Sequence, residues 1–158
     1  MSDRRETLVL GMGCFWGAQK RMAALPGVLE TEVGYAGGSF PDPTYDAVLD
    51  FEQRLLRGSV SGRNHAEVVK VVYDPELVLT EAVLAWFWEN HDPTQLDRQG
   101  NDFGSNYRSA IYTTTPEQRE AALATRDAYQ RALSAAGYGP IVTEIAPLVS
   151  YTPAEEYH

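Results

Sequence analysis

ETLVLGMGCFWGAQKRMAALPGVLETEVGYAGG, from Glu6 to Gly38, decides the reading of the fold. Glu6 to Leu10 is rich in β-formers and stops at Gly11. Cys14 to Ala24 can make a helix, closed by Leu25-Pro26-Gly27. Val28 to Tyr35 reads as a strand that ends at Gly37-Gly38. The unit is therefore strand, helix, strand. Outward from it, Tyr45 to Leu56 has helical character, and Ala66 to Tyr73 (AEVVKVVY) is the clearest strand of the chain. Thr80 is predicted to cap a helix, TEAVLAWFWEN, whose Trp86, Phe87 and Trp88 suit a helix core. His91 to Asn106 reads as polar loop and Tyr107 to Tyr112 as a short strand. Thr115-Pro116-Glu117-Gln118 is a strong helix start, with a Thr N-cap, Pro at the first position and Gln as the far half of a capping box. That helix runs to about Ala136 and stops at Gly137. Ile141 to Val149 is predicted as the final strand. The order, roughly βαβ(α)βαβαβ, predicts an α/β (α+β) fold, with one mixed sheet and packed helices in a two-layer sandwich. It does not fix the strand order.

The 158 residues fit one domain, 1–158, better than two. A hydrophobic share of 44% supports a core and rules out a disordered chain. Net charge is −9 with the basic residues scattered, which makes nucleic acid and anionic membrane poor partners. A single cysteine excludes an intrachain disulfide, a CxxC pair and a Cys-rich zinc site. No uncharged apolar run approaches the roughly 18 residues of a membrane span. Arg4-Arg5 followed by LVLGMGCFWGA imitates an export signal, but Asp3 and Glu6 cancel the positive start and glycines interrupt the run. The expectation is a cytoplasmic protein in which a lone thiol stays free.

Cys14 is the reactive candidate. It lies where a strand hands over to a helix, and a helix N-terminus favours thiolate over thiol. The bland alternative is a small buried hydrophobe. Phe15 and Trp16 follow directly and cannot both face the same core, so one or both line a cleft, or Trp16 is simply packed. Glu67 shares a strand face with Val69 and Val71. If those valines face the core, Glu67 points inward, where a carboxylate is costly unless it keeps its proton. A retained proton is what a general acid at neutral pH needs. The alternative is an edge Glu paired to Arg63 or to solvent. In the polar loop, Asp102 and Tyr107 stand out as groups able to orient an oxygen or a water. His65 offers a second chemistry, a Cys–His hydrolase or acyltransferase with Cys14, although nothing obvious orients its ring. His91-Asp92 lacks a third metal ligand at useful spacing.

Taken together, GCFWG at 13–17, GYAGG at 34–38, PDPTY at 41–45, HAEVV at 65–69, YDP at 73–75, HDPT at 91–94, RQGNDFGSNYRSAIY at 98–112 and AEEYH at 154–158 run in one order. The chain resembles the A-type peptide-methionine sulfoxide reductases over nearly its whole length. The resemblance implies the ferredoxin-like fold of that family and reduction of methionine-S-sulfoxide, free or in oxidised proteins, with no cofactor. It implies that Cys14 attacks the sulfoxide sulfur, that Phe15 and Trp16 enclose the methyl group, and that Glu67 gives the oxygen its proton. It further implies that Tyr45 and Tyr107 hydrogen-bond that oxygen, that Asp102 fixes a water or the hydroxyl network, and that Tyr157 closes the cleft. The products are methionine and a sulfenic acid on Cys14.

Two departures stand out. Many members carry a resolving cysteine near the C-terminus, and this sequence has only Cys14. The expected reductant is therefore an external thiol: thioredoxin, glutaredoxin or a small thiol. Leu49 to Arg63 (LDFEQRLLRGSVSGR) is longer than the short Cys-Ser-Gly turn common before HAE, and is expected to reshape the cleft rim near Tyr45. A non-enzymatic sensor that holds oxidised methionine is the remaining alternative.

Overall fold

A computed structural model describes residues 4–156. The first unit is β1 (Glu6–Gly11), α1 (Phe15–Ala23) and β2 (Val28–Ala36). Then come α2 (Tyr45–Leu56), β3 (Ala66–Tyr73) and α3 (Thr80–Glu89). The polar loop holds a two-residue hairpin, β4 (Arg98–Gln99) with β5 (Asp102–Phe103), and a 3₁₀ turn, Ser105–Tyr107. The chain closes with β6 (Ala110–Thr113), α4 (Pro116–Ala135), β7 (Glu144–Pro147) and β8 (Tyr151–Pro153).

Six strands form one sheet in the order β7-β6-β1-β3-β2-β8, and only the β6–β7 pair is parallel. The inner four, β6-β1-β3-β2, have the ferredoxin-like arrangement, in which β3 separates the two strands that α1 connects. The expected α/β sandwich with a mixed sheet is therefore found. Side chains alternate across β3. Val69, Val71 and Tyr73 join Leu8, Leu10 and Ile111 in the main core, under α1, α3 and α4. Ala66 and Val68 face the other way, with Val9, Ala36, Ala110 and Tyr112.

The strand expected over Ile141–Val149 is shorter, β7 at Glu144–Pro147, and a further strand that the sequence reading did not include, β8, follows it on the opposite edge of the sheet. Pro147 ends β7 and Tyr151 begins β8, so four residue steps, at most about 14 Å of chain, connect the two edges. Six strands laid flat would hold those edges roughly 24 Å apart. The sheet must therefore curl, and the inner face of the curl is lined mostly by small residues, with Leu148 and Tyr151 packed across it.

Two caps also differ from expectation. Thr80 lies inside α3 rather than capping it. The N-cap is Leu79 without a side-chain bond, and the Thr80 hydroxyl instead sits 2.7 Å from the Tyr73 phenol. Thr115 does cap α4 by accepting from the Gln118 N–H at 3.1 Å, but the Gln118 side chain reaches back to the N–H of Thr114, not Thr115.

Candidate active site

The handover from β1 to α1 builds the site. Gly13 has φ +98°, a left-handed conformation that a side chain resists, and a Cβ there would meet Gln99 Cγ at 2.8 Å. Glycine thus allows both the sharp turn and the close approach of the β4–β5 loop. The turn leaves Cys14 exposed at the N-cap of α1, with its backbone extended at φ −55°, ψ 124°. Phe15 and Trp16 separate as their adjacency requires. Phe15 is 2% exposed and packs on Tyr35, with ring centroids 5.7 Å apart. Trp16 is 43% exposed and stands edge-on to Phe15 at 5.4 Å. The buried ring thus backs the exposed one, beside Cys14.

Glu67 points inward, but from an interior strand rather than an edge. It pairs with Tyr35 in the β2–β3 register and is 2% exposed. The first helical N–H of α1, that of Phe15, donates to its Oε1 at 3.2 Å. Burial pushes the Glu67 carboxyl up to about 7; the Phe15 N–H pulls it back in part, and the charge of Asp102 pushes it further up. Arg63 is not its partner, because that guanidinium binds Glu144 at 2.8 Å.

Asp102 reaches the site on the β4–β5 hairpin, where it pairs with Gln99. It shares a cleft of about 410 Å³ with Met12, Cys14, Arg21, His91 and Gln99. Tyr107 ends the 3₁₀ turn. Burial pushes its phenol up to about 12, and Glu67, Tyr45, Asp102 and Cys14 all add to the shift. Those causes place the four other groups within electrostatic reach of one hydroxyl. Tyr45 begins α2 and packs against the cluster of Phe15, Val33, Tyr35 and Val48. The residues singled out from sequence are thus brought together, from five elements. Tyr157 lies outside the described residues.

The hydrolase alternative fails on geometry. His65 accepts from the Gly38 N–H through Nδ1 at 3.1 Å and lies 2.6 Å from the Phe40 carbonyl through Nε2. Both ring nitrogens serve the backbone, burial lowers the pKa of the ring, and neither nitrogen is left to activate a thiol. His91 is likewise committed. Its Nδ1 binds the Phe87 carbonyl at 2.7 Å and its Nε2 the Ser109 hydroxyl at 2.7 Å, while burial pushes it down to about 4. It stands in the cleft wall as a neutral ring.

Sequence reasoning missed two carboxylates behind the site. Glu155 accepts from the Tyr35 hydroxyl and from the Tyr45 N–H, each at 2.9 Å, and so ties the C-terminal segment to α2 and β2. Its position inside AEEYH was a signal. Glu52 is the other, and nothing in LDFEQRLL distinguished it from a solvated helix residue.

Residues 6–158 match the sequence profile described as "Peptide methionine sulfoxide reductase". The chain belongs to the peptide methionine sulfoxide reductase family. It is 55% identical over 154 residues to "Peptide methionine sulfoxide reductase MsrA" of Salinispora arenicola, covering 97% of this chain and 65% of that one. It is 50% identical over 150 residues to the human "Mitochondrial peptide methionine sulfoxide reductase", covering 95% and 60%. The chain therefore spans somewhat under two thirds of the length of these relatives. Among solved structures, methionine sulfoxide reductase A of Corynebacterium diphtheriae superposes with a TM-score of 0.84 at 43% identity, over 99% of this chain and 73% of that one. Saccharomyces cerevisiae Mxr1, solved in complex with Trx2, shares the fold at TM-score 0.66 and 21% identity, over 97% and 83%.

Proposed function

We propose that residues 1–158 form one catalytic domain that reduces methionine-S-sulfoxide, free or within oxidised proteins, and so repairs them. Cys14 attacks the sulfoxide sulfur as thiolate, and Glu67 delivers a proton to the sulfoxide oxygen. Tyr45 and Tyr107 hydrogen-bond that oxygen, Asp102 orders the hydroxyl network, and Phe15 with Trp16 receives the methyl group. The sulfoxide sulfur gains two electrons and leaves as methionine. The Cys14 sulfur loses two electrons and keeps the oxygen as sulfenic acid.

The observation that carries this reading is the Glu67 carboxyl, buried on β3 and accepting the N–H of Phe15, the residue next to the exposed Cys14, where burial pushes it up to about 7. A sulfoxide sulfur is a poor electrophile until donors hold its oxygen. A neutral carboxylic acid and two phenols suit that task in a partly dry cleft. No second cysteine lies within the sequence, so a thiol from outside these residues must attack the sulfenic acid, releasing water and leaving a mixed disulfide. Thioredoxin, glutaredoxin and small thiols all have that chemistry. A cytoplasmic setting, whose thiols keep Cys14 reduced, fits this cycle. Among the described residues no helix is long and apolar enough to cross a membrane.

The test is a single turnover without reductant. The protein is mixed with a racemic methionine sulfoxide derivative, the epimers are resolved, and Cys14 is weighed. The expected result is about one methionine per protein, loss of the S epimer alone, and one added oxygen on Cys14, all abolished by Cys14→Ser. No methionine together with an unmodified Cys14 would overturn the reading.

A further inference from the structure

The extended segment that departs from the family pattern supplies a carboxylate that the reaction scheme does not use. Glu52 lies on α2, seven residues after Tyr45, so the two share a helix face. Its Oε2 accepts the Ser105 N–H at 3.0 Å, and its Oε1 accepts the Ser105 hydroxyl and the Asn64 amide, the latter at 3.0 Å. The same Asn64 amide also donates to the Val48 carbonyl of α2 at 3.0 Å.

Ser105 opens the 3₁₀ turn that Tyr107 closes, and the Tyr107 N–H returns to the Gly104 carbonyl at 3.0 Å. On the far side, Arg108 Nη1 donates to the carbonyls of Ser105 and Asn64, both at 2.9 Å. Ser105 is thus held by Glu52 through its N–H and O–H, and by Arg108 through its C=O. Gly104 fits this packing: its φ is +135°, and a Cβ there would clash with Asn106 Oδ1 and meet Glu52 Cγ at 3.5 Å.

We infer that Glu52 is a positioning residue, which locks the Tyr107 turn to α2 and so sets the spacing of the Tyr107 and Tyr45 hydroxyls around the sulfoxide oxygen. One helix carries Tyr45 on its first turn and the Glu52 strut two turns later. The strut thus ties the turn that carries Tyr107 directly to the helix that carries Tyr45. This inference rests on the proposed reductase activity. Its distinct content is that Glu52 acts only through Tyr107.

The experiment is a double-variant cycle in reductant-free single turnovers with the racemic sulfoxide. Glu52→Ala is expected to lower the saturating rate roughly 10-fold, with the half-saturating concentration little changed, as for a displaced transition-state donor. Tyr107→Phe lowers it at least as much. In the Tyr107→Phe background, adding Glu52→Ala costs less than about twofold, because a missing hydroxyl cannot be misplaced. Glu52→Gln keeps one of the two acceptors and turns an NH2 toward the other donors, so it recovers only part of the rate. An unchanged rate in Glu52→Ala overturns the inference, as does full additivity in the double variant or a Tyr107→Phe as fast as wild type. If Glu52→Ala does not fold, Ser105→Ala removes one donor from the same contact and takes its place in the cycle. A wild-type protein that forms no methionine sinks the reductase reading and the inference with it. An active wild type with a slow Tyr107→Phe and an unimpaired Glu52→Ala sinks the inference alone.

Discussion

Glu67 and Glu52 flank the same pair of tyrosines, and their surroundings drive them in opposite directions. Glu67 is the more deeply buried, receives one backbone N–H and faces the anion of Asp102, so it holds its proton to about 7. For Glu52, burial also works to raise the pKa. Two bonds from Ser105, one from Asn64 and the charge of Arg108 outweigh it and hold the carboxyl below its usual range. Donor supply, not burial alone, decides which carboxyl stays charged. The difference assigns the labour: a carboxyl starved of donors can give up a proton in a reaction, whereas a saturated one serves as a fixed anchor.

The largest effect should come from removing the starved carboxyl. Glu67→Gln is expected to slow single-turnover reduction by roughly 100-fold or more, the scale of losing a key transition-state donor. The same change should stabilise the fold at alkaline pH. Glu67 binds its proton more tightly folded than unfolded, so its contribution is intact below pH 4.5 and is lost as pH rises to about 7. The gain in Glu67→Gln should therefore be absent at pH 4 and reach about 3 kcal/mol at pH 8, from a shift of 4.5 to about 7. Urea unfolding at the two pH values checks it. A gain over wild type no larger at pH 8 than at pH 4 would place Glu67 in a wetter setting than the one described.

Breaking the saturated side should cost stability instead. Arg108 donates to the carbonyls of Asn64, Ser105 and Gly37, to the Tyr112 hydroxyl and to Glu144. Arg108→Met strands those acceptors and should destabilise the fold by roughly 3 kcal/mol, the cost of removing one member of a buried charged network. Cys14 alkylation by iodoacetamide in the folded fraction should be unchanged. A loss below about 0.5 kcal/mol, as for an ordinary surface change, would show that Glu52 and its neighbours do not depend on that charge.

These two carboxylates also mark how far the sequence could be read. Ala66–Tyr73 and Tyr45–Leu56 were legible to the residue, because a period-two valine run and a punctuated amphipathic stretch are local signals. Glu67 was legible for the same reason, being the one charge on a valine face. The Cys14 turn was legible from its glycines. Glu52 was not, because its donors sit at positions 64 and 105, and only the curled sheet brings them to α2. The missed strand β8 has the same origin. Whether residues 151–153 pair as a strand depends on where the sheet's two edges lie, and that is a property of all six strands. Thr80 failed as a cap for a smaller reason of the same kind: its hydroxyl has a distant partner, Tyr73.

The smallest predicted effect tests the ranking of causes at Glu67. With Cys14 chemistry held to a single turnover, wild type should lose rate as pH rises through about 7, as the carboxylate forms, and Glu67→Gln should lack that descending limb. Asp102→Asn removes a neighbouring anion but leaves the burial. Because burial leads and Asp102 only adds to it, the limb should move to lower pH by less than about one unit, a cost below roughly 1.4 kcal/mol. The overall rate should also fall, since Asp102 is proposed to order the hydroxyl network, but the position of the limb is independent of its height. A limb that stays at about 7 would make desolvation the whole cause. One that drops toward 4.5 would make the carboxylate pair, not the dry strand, the source of the proton.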